Sequence, residues 1–175
     1  MGEPAEQGDV MHKILFGNIF LPVLLLWGVA VAADTSLTAK EREFLQAAMM
    51  NGIAQVGLGK LARDKGQEED VRELGKKLIE DYAQINRELE EIAQSKNQPM
   101  PNEVTVTQRA DYERLQQLSG KMFDERLKQV LVDSHLTTVE RFRAEGAKAK
   151  DPEIRRFAGE HLPILEVHLQ RAKGL

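Results

Sequence analysis

Seven residues, Val71, Leu74, Leu78, Tyr82, Ile85, Leu89 and Ile92, follow one another at steps of three or four with no interruption. A strand needs a period of two, so this stretch folds as a helix with a single buried stripe. A stripe of that width must be covered, and three other segments carry matching ones. Asp124, Leu127, Leu131, His135, Thr138 and Phe142 make the second, with Phe123 and Val130 beside it. Ile154, Ala158, His161, Leu165, His168 and Ala172 make the third. The fourth is a seam of small residues around one amide, Ala48, Gly52, Gln55, Gly59 and Ala62, flanked by Phe44, Leu45, Val56 and Leu58. Four amphipathic helices and no alternating pattern predict an all-α fold, an antiparallel four-helix bundle. A content of 42% hydrophobic but only 5% aromatic residues in 175 agrees with one helical domain.

Local signals set the boundaries. Thr38-Ala39-Lys40-Glu41 is a capping box that starts a helix at Ala39, and Gly66 ends it. Glu68-Glu69-Asp70 places negative charge at the start of the second helix, which is expected to reach about Lys96. Residues 97–106 contain Pro99, Pro101 and Val104-Thr105-Val106, too long and irregular for a tight helical hairpin. This connection, with a short helix expected over Gln108 to Leu118, carries the chain along the bundle. The third long helix is expected over Lys121 to Lys148, and Asp151-Pro152-Glu153 opens the last. Pro163 lies inside that last pattern and crowds the carbonyl of Gly159, so a kink is predicted there.

The first 33 residues are of another kind. Met11-His12-Lys13 precede an apolar run from Ile14 to Ala33 that ends in Ala30-Val31-Ala32-Ala33, a small-residue pattern suited to a signal peptidase. Residues 1–33 therefore read as a cleaved signal peptide, with Met11 a more typical start than Met1, and residues 34–175 as the exported domain. The alternative is a membrane anchor formed by residues 14–33. Without cysteine there is no disulfide framework and no lipid attachment through a thiol. Removing Glu3, Glu6, Asp9 and Lys13 from 28 acidic and 24 basic residues leaves 25 and 23, a near balance with no basic stripe for nucleic acid. Envelope association and self-association are the partner readings left open.

Histidines on a core stripe raise the question of a metal. His161 and His168 lie seven residues apart, about 10.5 Å of helical rise, too far for one ion. The Glu-x-x-His repeat of di-iron bundles does not occur. Antiparallel pairing places Asn51 opposite Tyr82 and His135 near Pro163, which predicts a mid-bundle polar layer of Asn51 or Gln55, Tyr82, His135 and His161. Hydrogen-bonded core histidines are the favoured reading, so no cofactor is expected. The alternative is a transition-metal ion held by His135 with His161 or His168, together with Asp124 or a water. Ser119 and Ser134 lack the context of a nucleophile, and Gly57-x-Gly59 lies within a helix and does not follow a strand. No catalytic set is complete, and the expectation is a protein that is not an enzyme.

Phe44-x-x-Ala47-Ala48, Leu58-Gly59-Lys60-Leu61-Ala62, Phe123-Asp124 with His135 twelve residues after Phe123, and Leu162-Pro163-x-x-x-x-His168-Leu169 resemble the exported bacterial family known as domain of unknown function 4142. The resemblance spans about Thr38 to Ala172. It implies a ferritin-like bundle behind a signal peptide, often labelled a membrane or outer-membrane protein, with no established activity. Family members commonly carry histidine at the position of Tyr82 and glutamate at that of Gln55, so this chain lacks two of the better candidate ligands. Sequence and resemblance together predict an exported, non-enzymatic protein of the periplasm or envelope with a binding or stress-related role. A metal-binding or metal-dependent redox protein using His135 with His161 or His168 is the alternative.

Overall fold

The computed structural model describes residues 36–175. The proposed signal segment lies outside them. Among the described residues there are five helices and no strand: α1 Ala39–Lys65, α2 Glu69–Ser95, α3 Val106–Gln116, α4 Gly120–Lys148 and α5 Pro152–Gly174. The four long helices pair as two hairpins, α1 with α2 and α4 with α5, and the hairpins stack with α1 against α4 and α2 against α5. α3 lies against α1 and α4. None of the helices among these residues is long and apolar enough to cross a membrane.

Both the Thr38–Glu41 box and the Asp151 cap form as the sequence dictates. The short helix begins two residues earlier than its expected start at Gln108. Thr105 and Gln108 form a second capping box, with the Thr105 hydroxyl accepting from the Gln108 amide at 3.2 Å. The β-branched Val104-Thr105-Val106 favours extended backbone, yet the cap outweighs that weak preference. Pro163 does not interrupt α5, which runs unbroken to Gly174. Pro163 and Gly159 are both exposed, so water can reach the carbonyl left without its amide partner.

Glycine costs about 1 kcal/mol relative to alanine inside a helix, and of Gly52, Gly57 and Gly59 in α1 two are placed against a close neighbour. A Cβ on Gly59 would lie 2.8 Å from the Gly75 carbonyl oxygen, and one on Gly52 would strike the Asn86 side chain. On Gly57 it would meet only Tyr112 of α3, at 3.5 Å, which is ordinary contact. The second hairpin closes in the same way, since a Cβ on Gly146 would sit 3.2 Å from the Gly159 nitrogen.

Two carboxylates tie the hairpins together, one at each end. Asp124 of α4 accepts from the amides of Gln67 and Glu68, at 3.1 and 3.0 Å, and so caps the turn into α2. Glu41 of α1 accepts from the Asp151 amide at 2.8 Å, across the turn into α5. Lys96 at the end of α2 reaches Asp151 as well, at 2.7 Å. These contacts fix the directions: α2 and α4 run the same way, and the connection through α3 returns the chain along the bundle. Between the glycine crossings and the caps lies a continuous apolar core, with Phe44, Phe142 and Phe157 from three helices meeting edge-on or tilted.

Candidate functional site

Midway along the core the apolar stripe gives way to three polar rings. Tyr82 from α2, His135 from α4 and His168 from α5 are all buried, with ring centroids 5.9 Å (Tyr82–His135), 5.7 Å (Tyr82–His168) and 5.5 Å (His135–His168) apart. The His135 Nδ1 donates to the Leu131 carbonyl at 2.8 Å, one turn back on its own helix. That bond fixes the tautomer and leaves Nε2 as an acceptor for the Tyr82 hydroxyl, which donates to it at 3.1 Å. His168 Nε2 donates to Asp81 Oδ2 at 2.8 Å, and Lys77 holds the other oxygen of Asp81 at 2.7 Å. The His168 Nδ1 is buried and has no partner.

Burial governs the charge of this layer. It lowers the His135 imidazole to about 4, only partly offset by the bond to Leu131, and nearby His168 adds to the effect. Burial also pulls His168 down, against the opposing pull of Asp81. The Tyr82 phenol is pushed up by burial, tempered by the nearby Asn51 side chain. At neutral pH the interior therefore holds a neutral phenol and two neutral imidazoles, with the Lys77–Asp81 ion pair at its edge.

Of the residues expected in the layer, Tyr82 and His135 meet, and His168, not His161, stands beside them. Register taken from the turn alone compares α-carbons, but helical side chains lean toward their own N-termini. On antiparallel neighbours the two leans oppose, so contacting rings lie about one turn further from the loop on one of the helices. His161 lies two turns from His168, packs on Phe157 at 4.7 Å between centroids, and meets Glu88 Oε2 at 2.9 Å. Asp124 is about 16 Å of helical rise from His135 and is committed to its cap. Among the described residues no three histidine, aspartate or glutamate side chains converge as a metal site would require.

On the α1 side, Gln55 is fully buried, its Nε2 donating to Ser134 Oγ at 2.8 Å and more weakly to Asn51 Oδ1 at 3.4 Å. Gln55 Oε1 and Asn51 Nδ2 have no partner. Both residues line a cleft of about 610 Å³ between α1, α4 and the segment around α3, with Ala54, Gly57, Tyr112 and Val130 among its walls. The sequence pointed to Gln55 and Asn51 but not to the cleft, whose walls come from α1, α3 and α4. Asp81 and Glu88 were also missed, and a signal for them exists. They are seven apart on α2, as His161 and His168 are on α5, and antiparallel helices bring such equal spacings into matching rungs.

Fold and site together define an all-α bundle with a neutral polar layer and a lateral cleft. The chain belongs to the family described as domain of unknown function DUF4142, whose model matches residues 28–175. It is similar in fold to the crystal structure of a DUF305 fragment from Deinococcus radiodurans, with a TM-score of 0.70 and 16% identity over 79% of this chain and 96% of that one. No curated protein matches it.

Proposed function

We propose that this chain is an exported, non-enzymatic, ferritin-like bundle of the periplasm or envelope that binds a small, mostly apolar molecule in the cleft between α1, α3 and α4. One observation carries the reading: a fully buried Gln55 on the cleft wall is held in place by Ser134 while its Oε1 is left without a partner. An unpaired buried acceptor costs about 1–3 kcal/mol, which a ligand O–H or N–H would recover. The cleft volume lies within the range of roughly 300–1,000 Å³ of small-molecule sites. The ferritin-like assignment is supported by the single long connection between α2 and α4. A di-iron centre does not fit, because the layer offers a phenol, imidazoles and amides where such a centre needs glutamates with Glu-x-x-His. A role in envelope stress is the physiological form of this proposal, and it rests on the family resemblance.

Ala54→Trp should fill the cleft without disturbing the core. The purified protein is expected to bind an apolar fluorescent dye with one-to-one stoichiometry, and this variant to bind it at least tenfold more weakly at unchanged helicity. Equal binding by both proteins would remove the cleft as the site. Export is checked separately by sequencing the N-terminus of the protein recovered from cells, which should begin at Ala33 or Asp34.

A further inference from the structure

Each imidazole of the central layer is oriented from behind and keeps one nitrogen free of its own proton. For His135 the anchor is the Leu131 carbonyl and the unprotonated atom is Nε2, which accepts from the Tyr82 hydroxyl; for His168 the anchor is Asp81 and the unprotonated atom, Nδ1, has no partner. A carboxylate or backbone carbonyl behind a histidine, fixing its tautomer, is the support that metal-ligating histidines normally have. The His135 and His168 rings stand 5.5 Å apart between centroids, a separation open to two imidazoles bound to one ion through bonds of about 2.0–2.1 Å. The 3.1 Å between Tyr82 Oη and His135 Nε2 is close to the spacing of about 3.3 Å between adjacent ligands around a four-coordinate ion. Most buried polar atoms are paired, yet the buried His168 Nδ1 has no partner beside the other two rings.

We propose that His135 Nε2, His168 Nδ1 and Tyr82 Oη form a mononuclear site for a divalent transition-metal ion, which replaces the Tyr82–His135 hydrogen bond as the phenol releases its proton to solvent, with Asp81 as the positioning residue behind His168. Imidazole donors select zinc, copper or nickel over magnesium and calcium, which require several oxygen ligands. His161 and Asp124 take no part, being held by Glu88 and by the turn amides. The site does not depend on the cleft, since none of its three ligands lines it.

The test uses the full chain purified without a histidine tag, stripped with chelator and dialysed against zinc or copper(II). One ion per chain is expected, with no more than marginal binding in His168→Ala and a 10- to 100-fold weaker affinity in Asp81→Asn. Asp81 lies at the half-buried edge of the bundle, so this second variant reports on the site even if His168→Ala fails to fold. In the copper-loaded protein a phenolate-to-copper absorption band should be present and be lost in Tyr82→Phe. No bound ion in the folded protein, an affinity unchanged by Asp81→Asn, or binding abolished by His161→Ala would each overturn the proposal. Ala54→Trp, which blocks the cleft, should leave metal affinity unchanged.

Discussion

Tyr82 joins two helices through one pair of atoms. Replacing it with phenylalanine leaves His135 Nε2 buried without a donor, a loss of about 1–2 kcal/mol. Tyr82→Ala adds a cavity and should cost about 3 kcal/mol, read as a fall in the denaturant midpoint at constant slope. His135 links the same layer to pH. Its imidazole is lowered to about 4 in the fold against 6.5 in the unfolded chain, so between those values only the unfolded chain takes up the proton. Stability should therefore be complete above pH 6.5 and decline toward pH 4, by up to about 1.4 kcal/mol per pH unit. His168 is shifted in the same direction, while the facing Asp81 and Lys77 hold the charge at the edge. His135→Gln should flatten the decline, measured as unfolding midpoints at pH 5 and pH 7.

Among the helices, two glycines of similar appearance should respond in opposite directions to alanine. On Gly75 of α2 a Cβ would lie 2.6 Å from the Arg63 nitrogen and 2.7 Å from the Gly59 carbonyl oxygen, both backbone. The gain in helix propensity of about 1 kcal/mol is outweighed by the cost of separating two helices, so Gly75→Ala should destabilise by about 1–2 kcal/mol. A Cβ on Gly159 meets nothing within 4 Å, so Gly159→Ala should keep its propensity gain and stabilise by about 0.5–1 kcal/mol. Thermal midpoints of the two variants decide both. The stripes of α2, α4 and α5 were legible because periodicity is a local property, and so were the Thr38 and Asp151 caps. Thr105 carries the same kind of signal, with Gln108 three residues on, inside a connection whose prolines point to irregular backbone.

Across the whole molecule, what could not be read were facts of register and of contact between distant segments. Which of His161 and His168 meets His135 depends on the lean of side chains across a hairpin. The cleft is walled by residues of α1, α3 and α4, far apart in the chain, and no single stripe encodes their meeting. The carboxylate caps belong to this scale as well. Burial would raise Glu41, but the Asp151 amide and the Thr38 hydroxyl and amide hold it at about 2, against an ordinary 4.5. Its contribution is present above pH 4.5 and lost as pH falls toward 2, a second acid window below that of the imidazoles. Glu41→Ala should cost about 2–3 kcal/mol at pH 7, removing a helix cap and orphaning a turn amide, and should leave a shallower acid transition below pH 4.5 in circular dichroism.

Asp124 and Glu41 each belong to one hairpin and close the turn of the other. If the backbone were severed between residues 97 and 105, each fragment would carry the carboxylate required by its counterpart's bend and lack the one required by its own. Two such pieces would gain more by reassembling than by folding apart, so a nicked chain should behave as a heterodimer whose melting temperature rises with concentration.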